Sequence, residues 1–318
     1  MTMYLSDDDI DFNSYLAMTE YETKIKDMRL TVDQLIEEVN HPPVDKSTLM
    51  PWSTTMDSFS FRPGEVTVWA GSNGGGKSLM TGQVALGLIK QSQRVCIASF
   101  EMKPKMTAKR MVRQFAGKSL ESTNYVTTPR EQQLDALIRF KEFIGNRMYV
   151  YDQQGTVDSQ RIEALVWHCA TKLEIDHVFI DSLMKCVPGE DAYNEQKNFV
   201  DKLCSLARDH DIHIHLVHHI RKLSNEEVRP SKSDLRGSSA ITDQVDNVLI
   251  VHRNKRKEHA RESGKDYDEN DPDAYLMCEK QRNGEGEPWF DFWYHKDSQQ
   301  FLDRRNGMPM SFDTKGEF

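Results

Sequence analysis

The sequence predicts an α/β fold, a P-loop core with a largely parallel central sheet and helices on both faces. Three observations predict it. Gly71-Ser72-Asn73-Gly74-Gly75-Gly76-Lys77-Ser78 fits G-x-x-x-x-G-K-[ST] with nothing missing, and it lies between a strand-like and a helix-like run. Strand and helix segments alternate after it, the pattern of a sheet layered between helices. Polar residues stand at the C-terminal ends of predicted strands, where open α/β sheets bind ligands.

Residues 1–50 are expected to form an N-terminal extension and 51–318 the core. Asp7, Asp8, Asp9 and Asp11 open the chain with an acidic run expected to lack order. Thr31-x-x-Gln34 resembles a capping box ahead of Val32, Leu35, Ile36 and Val39, whose spacing predicts one short amphipathic helix ended by His41-Pro42-Pro43. That helix either folds back on its own chain or packs on a neighbouring subunit. Gly64 to Ala70 reads as a buried strand and Leu79 to Lys90 as a helix burying Met80, Val84, Leu86 and Leu88. Arg94–Ser99 is a strand. Met106–Ala116 and Glu131–Ile144 are helices, the second with its apolar spacing on Leu134, Leu137, Ile138 and Phe143. Arg147–Tyr151 is a strand ended by Asp152, and Ser159–Leu173 a helix with Ile162, Leu165, Val166 and Cys169 on one face. His177–Ile180 is a strand ending in Asp181; a helix over Asn194–His210 and strands over Ile212–His218 and Asn247–Val251 follow. Ala274–Glu279, Trp289–Tyr294 and Gln300–Leu302 read as short strands joined by tight turns.

Composition narrows the class. With 38% apolar and 29% charged residues the chain reads as an ordinary soluble protein, and no run approaches a membrane span. The acidic N-terminus lacks the basic start of a signal peptide, so a cytoplasmic location is expected. Five scattered cysteines without a C-x-x-C pair suggest reduced core thiols. The net charge of −9 argues against a basic coat but not against nucleic acid, because a ring can present a few basic loops to a channel.

Chemistry concentrates at strand ends. The P-loop backbone amides and helix N-terminus suit phosphate, with Lys77 reaching the β- and γ-phosphates of a nucleoside triphosphate and Ser78 ligating Mg²⁺. Val178-Phe179-Ile180-Asp181 has the form of a Walker B strand, placing Asp181 in the Mg²⁺ shell opposite Ser78. Glu101, after the strand that follows the P-loop helix, is either a base polarising the attacking water or a surface glutamate. His218 and His219 alternate across their strand end, so only one can face the nucleotide; a structural role and a γ-phosphate sensor are both open.

Together Gly71 to Ser78, Ser99-Phe100-Glu101-Met102, Phe179-Ile180-Asp181-Ser182, His219 and Asp234-Leu235-Arg236-Gly237-Ser238-Ser239-Ala240-Ile241 resemble the ordered motifs of DnaB-type hexameric replicative helicases. Tyr151-Asp152, the strand-end histidine and Asp-Leu-Arg-Gly-Ser look most like the helicase half of phage primase-helicases and Twinkle. The resemblance spans about residues 50 to 305. It implies a RecA-like ATPase that assembles as a ring, with Glu101 as catalytic base, Asp181 with Mg²⁺, and His219 as the sensor where bacterial relatives hold glutamine. Lys280-Gln281-Arg282-Asn283-Gly284 resembles the segment that reaches the neighbouring subunit's ATP, with Arg282 as arginine finger and Lys280 its companion. Arg253 and Tyr294 fall where the family clamps the base.

The same resemblance assigns DNA contact to Arg221, Lys222 and Lys232 and to the Gly237-Ser238-Ser239-Ala240 turn. The polar stretch opened by Arg253-Asn254-Lys255-Arg256-Lys257 reads equally as a further DNA loop or a disordered insertion. There is no zinc-binding or Toprim-like segment and no helical domain like that of bacterial DnaB, so no primase activity is expected and a separate primase, polymerase or loader is implied. The expectation is an ATP-dependent replicative helicase, phage-encoded and acting in the host cytoplasm. By the resemblance it moves on single-stranded DNA as a hexamer, with Mg²⁺ as cofactor. The alternative is a RecA- or RadA-like DNA-dependent ATPase that forms filaments without unwinding.

Overall fold

The structure, a computed structural model, describes residues 4–5, 10–17, 27–42, 44–120, 129–187, 189, 192–221, 227–236 and 239–313. In chain order β1 is Tyr4–Leu5, α1 Phe12–Ala17, α2 Met28–Asn40, β2 Thr48–Leu49 and β3 Ser60–Phe61. The core begins with β4 (Val66–Ala70), α3 (Lys77–Lys90), β5 (Val95–Ser99), α4 (Pro104–Ala116), α5 (Arg130–Ile144) and β6 (Met148–Tyr151). It continues through α6 (Ser159–Lys172), β7 (His177–Asp181), α7 (Leu183–Cys186), α8 (Tyr193–His210) and β8 (His213–Val217). It closes with α9 (Ser239–Gln244), β9 (Asn247–Arg253), α10 (Lys255–Glu262), β10 (Ala274–Gln281), β11 (Trp289–His295) and β12 (Gln300–Leu302).

Ten strands form one sheet in the order β1-β6-β5-β7-β8-β4-β9-β10-β11-β12. Every pairing from β1 to β9 is parallel and those from β9 to β12 are antiparallel. The strands alternate their side chains between two cores: Val66, Val68 and Ala70 of β4 face the side of α6 and α8, while Trp69 faces the side of α3 and α4. Burial on both faces is why β4 is apolar almost throughout. A hydrogen-bonded chain fixes the three strands that carry the P-loop, Asp181 and His219. Trp69 Nε1 donates to His215 Nδ1 at 3.1 Å, which leaves His215 Nε2 to donate to His177 Nδ1 at 3.1 Å. His177 Nε2 then donates to Thr48 Oγ1 at 3.3 Å. Burial holds both imidazoles well below the usual histidine pKa, so they stay neutral.

Three expectations need correction. The amphipathic helix of the extension, α2, starts at Met28 rather than near Thr31, because Asp27 supplies the N-cap by accepting from Arg29 N. Leu134, Leu137 and Ile138 of α5 are exposed; α5 instead buries Ala136 and Phe140, and Phe140 and Phe143 pack on Phe115. Two phenyl rings on Phe115 offer more contact than the leucine stripe, and they set the helix's rotation. The polar stretch after Arg253 is neither loop nor disorder at its start but helix α10. None of the residues of α2 is buried, and Met28, Val32, Leu35, Ile36 and Val39 form an exposed apolar stripe. Asp7, Asp8 and Asp9 lie outside the described residues. Ile10 and α1 pack against the face of α6, where Tyr15 donates to Glu163 at 2.8 Å.

Candidate functional site

β4 delivers the chain into the P-loop tight against β9. A Cβ on Gly71 would lie 2.5 Å from the Val251 carbonyl oxygen. Gly76 caps α3 at φ 93°, and a Cβ there would lie 2.8 Å from Phe301 Cζ, so only glycine meets both demands. Gly75 N donates to Ser72 O at 3.1 Å, closing the loop, while Asn73 and Gly74 are exposed at its tip.

Lys77 is buried, and its Nζ donates to the carbonyls of Gly71 at 3.0 Å and Ser72 at 2.9 Å. Nζ also lies 3.3 Å from His219 Nδ1. Burial pulls its pKa down to about 8, against the opposing pull of Asp181 and Glu101. Ser78 Oγ donates to Asp181 Oδ2 at 2.7 Å. Burial raises the Asp181 pKa and the Ser78 hydrogen bond opposes the rise. Glu101 is exposed one residue beyond Phe100, whose N donates to Asp181 O at 3.0 Å. Its charge acts on both Lys77 and Asp181. One cluster thus joins Lys77, Ser78, Glu101, Asp181 and His219 at the strand ends.

The two histidines part as their alternation requires. His219 turns to Lys77, with its pKa held down to about 3 by burial and then by the Lys77 charge. His218 is fully buried, and its Nε2 donates to Arg236 O at 2.7 Å.

Beyond the loop a cavity of about 240 Å³ is lined by Gly74, Gly76, Arg253, Glu258, Tyr294 and Phe301 among others. Arg253 and Tyr294, far apart in sequence, meet there. Arg253 Nη1 donates to Gly74 O at 3.3 Å and its Nη2 pairs with Glu258 Oε1 at 2.5 Å. Sequence reasoning missed Glu258 and Arg261 of α10, and Asp273, all of which line the cavity. The signal available was Asn254, whose side chain caps α10 by accepting from Lys257 N at 3.0 Å.

Lys280 and Arg282 are not with the P-loop. Lys280 Nζ donates to the carbonyls of Thr242 and Asp243 at 2.8 and 2.9 Å, at the C-terminal end of α9. Arg282 Nη2 donates to Asp243 O and Gln244 O, and Nη1 pairs with Asp246 Oδ1 at 2.9 Å. β10 runs antiparallel to β9, so this pair stands beside Asn247 where the parallel strands begin. The P-loop stands where they end, roughly 13 Å away along the four steps of β9 from Asn247 to Val251.

Of the residues assigned to DNA, Lys222, Gly237 and Ser238 lie outside the described residues, and Ser239 is described only as the first residue of α9. Arg221 is exposed; its N donates to Asp234 O at 2.7 Å and its guanidinium to Ser233 O. Lys232 Nζ donates to Glu279 O at 3.1 Å.

Residues 54–303 match the family model of the DnaB-like helicase C-terminal domain. The replicative DNA helicase DnaB of Mycoplasma pneumoniae is 25% identical over 251 residues, covering 73% of this chain and 52% of that protein. The chain therefore spans about half the length of that relative. Among solved structures, an ATPase domain determined on its own superposes with a TM-score of 0.70 at 16% identity, covering 89% of this chain and 100% of the other. A DnaB-like replicative helicase, solved in a study of its interactions with primase, gives 0.67 at 16% identity, covering 91% of this chain and 70% of the other. These likenesses identify the fold as the RecA-like ATPase fold of the DnaB helicases. With 54–303 matched, the chain belongs to the DnaB-like helicase C-terminal domain family.

Proposed function

We propose that this chain is the ATPase motor of a replicative DNA helicase, a ring of six identical subunits that moves on single-stranded DNA and unwinds duplex at the fork. The observation that carries the reading is the separation of Lys280 and Arg282 from the P-loop of the same chain. A cationic pair at the opposite end of the sheet can serve a phosphate only on a neighbouring subunit. Arg282 then acts as the arginine finger and Lys280 as its companion, stabilising transition-state charge in trans.

Within the subunit, Gly71 to Ser78 hold the phosphates of ATP, Lys77 pairs with them, and Arg253 and Tyr294 clamp the base across the cavity. Ser78 Oγ and the Asp181 carboxylate, 2.7 Å apart, are hard oxygen donors that fit Mg²⁺. That ion supplies charge stabilisation on the phosphates. Glu101 orients and deprotonates the attacking water, and His219 reports the γ-phosphate through its contact with Lys77. Arg221, Lys222 and the Gly237-Ser238-Ser239 turn contact the DNA backbone in the channel. The apolar stripe of α2 packs on the neighbouring subunit, as the linker helix of an N-terminal extension spanning residues 1–50. A primase, polymerase or loader encoded separately completes the machine, and a phage gene working in the host cytoplasm fits the resemblance; among the described residues no helix is long and apolar enough to cross a membrane.

Mixing two dead variants tests the reading. Lys77→Ala and Arg282→Ala are each expected to lose DNA-stimulated ATPase by about 10³-fold or more. An equal mixture should recover about a quarter of the wild-type sites, those joining an intact P-loop to an intact finger. A mixture as inactive as its parts refutes hydrolysis in trans. Negative-stain images with an ATP analogue and single-stranded DNA should show closed rings; long filaments would favour the recombinase-like alternative.

A further inference from the structure

His218 is a wholly buried imidazole that the proposed chemistry does not use. Its backbone N donates to Trp69 O at 2.9 Å, on the strand that leads into the P-loop. Its side chain leaves the nucleotide cluster and donates from Nε2 to Arg236 O at 2.7 Å. Around that bond the two ends of the 219–236 segment are zipped together. Arg236 N donates to His219 O at 2.9 Å, Ile220 pairs with Leu235, and Arg221 N donates to Asp234 O at 2.7 Å. Arg236 Nε donates to Ile220 O at 3.1 Å, and Ile220 N to Gly71 O at 3.3 Å in the P-loop itself.

The other ring nitrogen, His218 Nδ1, is buried with no hydrogen-bond partner among the described residues. An apolar side chain would fill the space without that penalty. Burial also drops the pKa to about 4, so the ring is neutral and Nε2 carries its only proton. The imidazole is therefore suited to one task, holding Arg236.

We propose that His218 is a positioning residue that ties the segment carrying Arg221 to the nucleotide site. A shift of His219 and Lys77 on γ-phosphate loss is carried to Arg221 through a ladder that His218 closes, and DNA held by Arg221 acts back on His219. The inference rests on the helicase reading, in which Arg221 touches DNA and His219 senses the phosphate.

The test is the ratio of ATPase turnover with and without an oligothymidylate, alongside ATP affinity and thermal stability, in the full chain. His218→Leu should keep basal turnover and ATP affinity and lower the stimulation ratio at least about fivefold. His218→Asn, polar but too short to reach Arg236 O, should lower it likewise, and it carries the test if His218→Leu does not fold. His218→Gln, whose amide N–H can reach, should restore it. Equal stimulation in His218→Leu and wild type overturns the inference alone. Parallel loss of basal and stimulated turnover with lowered stability also overturns it, because it marks a packing role. A wild-type protein that DNA does not stimulate removes the helicase reading and this inference with it.

Discussion

Lys77 stores free energy that pH can release. Its pKa falls from 10.5 to about 8 on folding because the ammonium is taken out of water. Between those values the unfolded chain binds more protons than the native one, so native stability rises as pH climbs through 8. By about pH 10 the gain from this one group is about 2.5 kcal/mol. The perturbation that isolates it is Lys77→Met, which keeps the aliphatic stem and removes the titrating nitrogen. Urea unfolding of both proteins at about pH 7 and about pH 10 cancels the contributions of all other groups in the difference. The wild type should gain roughly 2.5 kcal/mol on the variant across that interval. A difference that stays flat refutes the reasoning, because it means the lysine is not desolvated in the native protein. The same titration should weaken ATP binding above about pH 8, as Lys77 loses the charge that pairs with phosphate.

Two further outcomes follow from the geometry. Gly76→Ala places a Cβ 2.8 Å from Phe301 Cζ at a positive φ, and should cost about 1–3 kcal/mol in chemical denaturation while weakening ATP binding. Leu35→Asp with Ile36→Asp should leave subunit stability within about 0.5 kcal/mol, because both side chains are exposed, while light scattering shows the assembly lost.

Much of the fold was legible because its elements are apolar and periodic. β4, β5 and β8 are buried along their whole length, and the predicted faces of α3 and α6 are the buried ones. α10 was hidden for the opposite reason. Its anchor is a lysine, Lys257, buried with its Nζ on the carbonyls of Glu269 and Asp271 and 3.0 Å from Asp273. A helix held by ion pairs and a ring of oxygens leaves no apolar period to read. The strand-end cluster was visible because Asp181, Glu101 and His219 stand at or just past strand ends, while Lys77 and Ser78 open the helix behind the glycine loop. The cavity wall supplied by Glu258, Arg261 and Asp273 was not, since it depends on α10 setting Glu258 beside Arg253 and Arg261 beside Asp273. The exposure of the leucine stripe on α5 was equally hidden, because a helix's rotation is decided by its neighbour.

The antiparallel turn from β9 into β10 also has a consequence for how activity counts. On the proposed reading it gives every subunit two unlike half-sites, a P-loop at one end of the sheet and a cationic pair at the other. An open row of n subunits then contains n − 1 complete sites and leaves one half-site idle at each end, whereas a closed ring wastes none. Specific activity becomes a report on assembly: it should fall on dilution as rows shorten, and closure should abolish that fall.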